Sequence, residues 1–220
     1  MPTTPIRLNS ADLLALPSGA LWFAAEALLC VSDLHLGKSE RMARRAGQLV
    51  PPYDSRETLN RLAEDLARWQ PRTVVSLGDN FDDELSLAGL GEFEMGQLAA
   101  MKAGRQWIWI TGNHDPGPVA VGGTWLDELQ VGPLTFRHIA CATPKPGEVS
   151  GHFHPKHRFC GPRGSVTRKA FVHDDRRLIL PAYGAYTGGL RTDDPAIRSL
   201  LGRRPIAILT GHKTLACPLQ

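Results

Sequence analysis

Four short clusters of oxygen and nitrogen donors recur along this 220-residue chain: Asp33-Leu34-His35, Gly78-Asp79, Gly112-Asn113-His114-Asp115 and Gly151-His152-Phe153-His154. Together they offer carboxylates, an amide and several imidazoles. Such a set suits two divalent cations held close together, the usual equipment for hydrolysing phosphate esters with water. Mixed nitrogen and oxygen donors favour Mn²⁺, with Fe or Zn²⁺ as alternatives, over Ca²⁺. Two adjacent cations need a bridging ligand, and a carboxylate offsets their charge. Asp79 is the natural bridge, because it leaves a strand end between the other clusters. Alternate residues of an extended chain point to the same side, so Asp33 pairs with His35, and His152 with His154. Gly112 and Gly151 let the backbone come close to the site. Asn113 adds a neutral oxygen.

Hydrophobic periodicity places these clusters on elements. Residues 27–31, 73–77 and 106–110 are short apolar runs and predict buried strands. The first three clusters each lie just past one of these runs, at the end where open α/β sheets bind ligands. A basic helix is expected over 39–46, stopped by Gly47 and Pro51-Pro52. Asp54 is the expected cap of a second helix, with Glu57 at the capping-box position. Its Leu59, Leu62, Ala63, Leu66 and Trp69 share one face. A third helix is expected over 93–103. The alternation predicts a parallel α/β arrangement. Beyond residue 120 the strand candidates are 133–138, 147–151, 166–173 and 177–180, followed by a helix near 194–201. The second half is therefore expected to form a second sheet packed on the first, within one domain spanning 1–220.

Apolar residues make up 42% of the chain, enough for a core and too many for a disordered polymer. No apolar run approaches the roughly 18 residues that a membrane span needs. The opening Met1-Pro2-Thr3-Thr4-Pro5 lacks the layout of a secretory signal, so a cytoplasmic location and no membrane partner are expected. None of the four cysteines sits in a C-x-x-C pair, which argues against a zinc ribbon. The formal charge of +3 permits a polyanionic partner without demanding one. Lys38, Arg41, Arg44 and Arg45 follow the first cluster, and Lys156, Arg158, Arg163, Arg168 and Lys169 follow the last. If the clusters converge, both basic groups can rim one mouth.

Alone, Asp33-Leu34-His35 reads as a polar strand end and Gly78-Asp79 as a turn; Gly112-Asn113-His114-Asp115 and Gly151-His152-Phe153-His154 are more specific, and the ordered series is far more specific still. It resembles the calcineurin-like metallophosphoesterase superfamily, whose pattern runs D-x-H, G-D-x-x-D, G-N-H-[DE], a lone His and G-H-x-H. Gly78-Asp79-Asn80-Phe81-Asp82 matches the second motif. The lone His can only be His138, the single histidine between Asp115 and Gly151, although Ile139 follows it where the family has Gly. The resemblance implies a four-layer α/β sandwich of two mixed β-sheets flanked by helices. It implies one metal ion on Asp33, His35, Asp79 and His154, and a second on Asp79, Asn113, His138 and His152. It also implies that His114 contacts the phosphate and assists the leaving group, with Asp82 or Asp115 to orient it. Lys38 and Arg158 are expected to bind substrate phosphate.

Finer texture, from Ser32-Asp33-Leu34-His35-Leu36-Gly37-Lys38 to the Tyr183-Gly184-Ala185-Tyr186-Thr187-Gly188-Gly189 tail, is similar to bacterial phosphoesterases linked to a DNA ligase and a helicase in damage response. That similarity implies a DNA endonuclease with those two enzymes as partners. The alternatives are a small-substrate phosphomonoesterase, a cyclic-nucleotide phosphodiesterase and a non-catalytic partner-binding scaffold.

Overall fold

A computed structural model describes residues 2–47, 51–83, 85–87, 89–115, 120–162 and 164–219. Two mixed sheets face each other. The first runs in chain order through β1 (Thr4–Leu8), β2 (Ala11–Ala15), β3 (Leu21–Phe23), β4 (Leu28–Val31), β5 (Thr73–Leu77), β6 (Gln106–Ile110) and β7 (Thr124–Leu126). Pairing is antiparallel from β1 to β4 and parallel from β4 to β7. The second comprises β8 (Glu128–Val131), β9 (Leu134–Arg137), β10 (Glu148–Ser150), β11 (Lys156–Gly161), β12 (Gly164–His173), β13 (Arg177–Ile179), β14 (Ile206–Leu209) and β15 (Leu215–Pro218). Its order is β15-β14-β12-β13-β10-β9-β8, with β11 paired to β12 off that path.

Alternation along β4, β5 and β6 explains why the sheets stack. Leu28, Cys30, Val75, Leu77, Ile108 and Ile110 face inward and meet Leu134, Phe136, Val149, Phe171 and Leu178 of the second sheet. Their neighbours Leu29, Val31, Val74, Trp107 and Trp109 face outward onto helices. These central strands are therefore apolar on both faces, as strands covered on both sides must be. The covering helices are α2 (Asp54–Trp69), through Leu59, Leu62 and Leu66, and α3 (Glu92–Lys102), through Leu98 and Met101. The second sheet's remaining cluster, Ala170, Ala207, Leu209 and Cys217, is much smaller.

α1 (Lys38–Ala46) ends on Gly47 in the left-handed conformation, the usual helix stop. Two expectations need correction. Asp54 does not cap its own helix, which starts from Tyr53 without a side-chain cap. Its carboxylate instead accepts from the Ser39 amide (3.1 Å) and hydroxyl, while Ser55 Oγ accepts from the Gly37 amide (2.8 Å). The start of α2 thus satisfies orphan donors at the start of α1. The helix expected near 194–201 is a single turn, α4 (Pro195–Arg198), capped by the Asp194 side chain.

Phe136 is fully buried between the sheets. Phe136→Ala should lower unfolding free energy by about 3–5 kcal/mol in urea titrations followed by circular dichroism; a loss below about 1 kcal/mol would show that this inter-sheet contact matters little.

Candidate metal centre

The donors gather where the two sheets meet. Asp33 and His35 follow β4, Asp79 follows β5 and Asn113 follows β6; His138 follows β9, and His152 and His154 follow β10. Two groups of ligand atoms form, each mutually within 4.8 Å: Asp33, His35, Asp79 and His154 in one, Asp79, His138 and His152 in the other. Asp79 belongs to both. His154 Nε2 lies 3.1 Å from Asp33 Oδ1, and His138 Nε2 lies 3.3 Å from Asp79 Oδ1 and 2.9 Å from Asn113 Oδ1.

The backbone that aims these side chains is not extended. Asp33, His35, Asp79, His152 and His154 have φ of 54°, 45°, 47°, 69° and 48°. Residues two apart do reach the same side, but through left-handed turns rather than a pleat. Such turns keep tightly packed company. A Cβ on Gly78 would collide with the His138 ring, one on Gly112 with the Asp79 backbone and carboxylate, and one on Gly151 with Ser32 Oγ and the Asp33 carboxylate.

Outer contacts set the imidazoles. His138 Nδ1 donates to the Leu77 carbonyl at 2.7 Å, so Nε2 faces the cluster. His35 Nδ1 donates to Asp82 Oδ1 at 2.7 Å, which turns its Nε2 inward. His35 Nε2 then stands 3.3 Å from His154 Nε2, and His138 Nε2 stands 3.2 Å from His152 Nδ1. Two donors each about 2.1 Å from one cation, at tetrahedral to octahedral angles, stand roughly 3.0–3.4 Å apart. Nitrogens paired at this spacing, beside buried carboxylates, fit divalent cations. A carboxylate bonded to the far nitrogen of such a histidine is a recurrent support for metal ligation.

Asp82 and Asp115 do not orient His114. Asp82 serves His35 and is itself fully buried between Lys38 Nζ (3.2 Å) and Arg41 Nη1 (2.9 Å). Asp115 accepts from the amides of Asn80 (2.8 Å), Phe81 (3.1 Å) and Gly112 (2.8 Å), and so ties the second cluster to the third. Among the described residues no side chain hydrogen-bonds the His114 ring, which sits edge-on to His35 at 5.4 Å; its amide donates to Asp79 Oδ1 at 2.8 Å.

Lys38 Nζ pairs with Asp82 Oδ1 at 3.2 Å. Arg158 is exposed on β11, bonded to Ser165 Oγ at 2.8 Å, and is not brought into the cluster. The first basic group is largely offset by three acids: Lys38 and Arg41 pair with Asp82, Arg44 with Glu40 and Asp83, and Arg45 with Asp83. Arg163 lies outside the described residues. The sequence reading missed the work of Arg61 and Lys169, which donate to the carbonyls of Tyr183 and Gly184. They clamp a loop that packs on the first cluster, where Tyr183 N donates to Ser32 O (2.7 Å) and Gly184 N to Asp33 O (3.0 Å). Nothing in the spacing of those residues marks that role.

Charge follows geometry. Burial would raise Asp79, but the His138 bond and charge, and the His114 amide, hold it well below the usual carboxylate range. Burial likewise opposes Asp33, and the bond and charge of His154, together with the charges of His138 and His35, outweigh it and hold it low. Asp82 is held low against its burial by His35 and Arg41. His138 is pushed up to about 9, its burial being outweighed by Asp79 and Asp33. Burial and the neighbouring His138 charge pull His152 down.

A family model described as calcineurin-like phosphoesterase matches residues 27–216. The chain belongs to that family. No curated protein matches the sequence. Among solved structures it is similar to the crystal structure of Pseudomonas putida nuclease MPE, with a TM-score of 0.77, 24% identity, and coverage of 99% of this chain and 100% of that one. At that identity the likeness establishes a shared fold. The family match takes in all four donor clusters and His138, so the convergence of donors is placed within a calcineurin-like architecture. No helix among the described residues is long and apolar enough to cross a membrane.

In chelator-treated protein His138 should keep its proton until about pH 9, against about 6.5 for a free imidazole. A raised imidazole pKa stabilises the fold fully below its unfolded value, and that contribution is lost as pH rises through the folded value. The stability advantage of the unaltered protein over His138→Gln should therefore shrink between pH 6.5 and 9. The comparison must be differential, because Lys169, lowered to about 7 by burial and by Arg61 and Lys156, shifts stability the opposite way over much of that window. A constant difference in urea midpoint would remove His138 from this role.

Proposed function

We propose that this chain is a dinuclear metal-dependent phosphoesterase that cleaves phosphodiesters, with DNA as its substrate. The observation that carries this reading is the pair of donor groups sharing Asp79 within a calcineurin-like fold. Asp33, His35, Asp79 and His154 would hold one cation, and Asp79, Asn113, His138 and His152 the other. When bound, the two ions, with Mn²⁺ favoured, would polarise the phosphate and lower the pKa of a water molecule. The protein supplies the rest. Asp82 and the Leu77 carbonyl fix the rings of His35 and His138, so their inward nitrogens need no reorganisation. His114, half-buried beside Asp79, would give a proton to the leaving oxygen. Asp115 holds the turns around it.

The P. putida protein of the same fold is a nuclease, which supports a nucleic-acid substrate here. The similarity to phosphoesterases linked to a ligase and a helicase extends the reading to DNA repair in the cytoplasm, alongside those two enzymes. Those finer assignments rest on that similarity.

Metal content and turnover of bis-p-nitrophenyl phosphate, with Mn²⁺ supplied, test the reading. Asp79→Asn should lose bound metal and activity together. His114→Ala should keep metal and lower kcat on DNA by about 10²–10⁴-fold, with a far smaller loss on bis-p-nitrophenyl phosphate, whose p-nitrophenolate leaves without a proton. Hydrolysis of p-nitrophenyl phosphate but not of either the diester or DNA would point to a phosphomonoesterase; no hydrolysis of any of them would favour the inert scaffold.

A further inference from the structure

We propose that the ribbon formed by β11 and β12 is an arm that lies in the major groove of duplex DNA beside the metal centre; this rests on the nucleic-acid reading above. The ribbon begins two residues after His154. Six residue pairs hold it, from Lys156 opposite Lys169 to Gly161 opposite Gly164. At about 3.4 Å per residue it reaches roughly 17 Å. Among the described residues β11 pairs with β12 and, at its base only, Lys156 bridges Arg191; residues 158–160 and 164–168 are exposed, so the outer part of the ribbon stands off the sandwich. The second half of β12, Ala170–His173, is inserted between β13 and β14 and anchors it.

Its chemistry is one-sided in sign. Residues 155–173 carry five Lys or Arg and no Asp or Glu. Asp193, which neighbours His157 at the base of the ribbon, is paired with Arg191 at 2.6 Å. On one face Lys156 and Lys169 donate to the carbonyls of Thr187 and Gly184. That loop in turn touches Asp33, so this face leads directly away from the metal centre. Arg158 continues the same face. Arg168 lies on the other, with the exposed Phe159 and Val166. Cations on opposite faces of a thin ribbon suit a groove flanked by two phosphate strands. The major groove of B-form DNA, about 12 Å wide, admits a two-stranded ribbon, whereas that of duplex RNA is too narrow.

The test is anisotropy of a fluorescent DNA duplex titrated with the full chain at several salt concentrations. Arg158→Gln with Arg168→Gln should weaken binding about tenfold or more at low salt, and should flatten the slope of log affinity against log salt by about 1.8, roughly 0.9 per lost cation. Arg158→Lys with Arg168→Lys should restore the slope, which a misfolded ribbon would not do. An unchanged slope in the glutamine pair, or equal loss in the lysine pair, overturns the proposal, as does equal binding of duplex RNA. If the unaltered chain binds no DNA the arm is refuted too, and metal-dependent bis-p-nitrophenyl phosphate hydrolysis then shows whether the phosphoesterase reading survives.

Discussion

One hydrogen bond spans the two sheets at the point on which the site depends. His138, just past β9 of the second sheet, donates Nδ1 to the carbonyl of Leu77, the last residue of β5 in the first. The next residue on β5's side is Gly78, and the ring fills the space where a Cβ would stand. Behind this bond lies the inter-sheet core of Leu77, Ile110, Phe136 and Val149. Without face-to-face packing, donors from β4, β5 and β6 would never meet those from β9 and β10. The apolar core is thus what sets the distances among polar groups that it does not itself contain.

Gathering Asp33, Asp79 and Asp82 in the interior is costly unless each finds an opposite partner or a hydrogen bond. The chain spreads that compensation over two shells. Histidines face Asp33 and Asp79, while Lys38 and Arg41 face Asp82 from α1. α1 is fixed in turn by Asp54 and Ser55 at the start of α2. A surface helix therefore bears on the orientation of His35, three residues before its first turn.

The donor clusters and the strands that deliver them were legible because chemistry and hydrophobic patterning coincide there. The runs at 28–31, 73–77 and 106–110 are apolar on both faces, and each ends in a polar cluster. The first three strands were not legible. Their turn, Asn9-Ser10, takes left-handed φ values of 45° and 72° without a glycine to announce it, and Pro5 sits inside β1. Asp54 was misread because a local capping motif names the nearest partner in sequence, whereas its carboxylate bonds Ser39, 15 residues away. Asp82 was offered to His114 by resemblance, whereas it bonds His35, 47 residues away. Only tertiary contact could reveal that. The basic runs were visible, but not that one is neutralised by acids while the other stands on an exposed ribbon.

Five of the eleven non-glycine residues with positive φ among those described are donors in the two clusters. Aspartate and histidine tolerate this conformation better than most side chains, yet each position still costs on the order of 1 kcal/mol relative to glycine. That asymmetry bears on how the chain would age. In a copy relieved of its task, replacement at these sites by Gly would run downhill in stability, and erosion would start there rather than in the core. An unbroken set of strained donors is thus what a gene still under use would carry, and idleness would be written first in the residues that are hardest to hold.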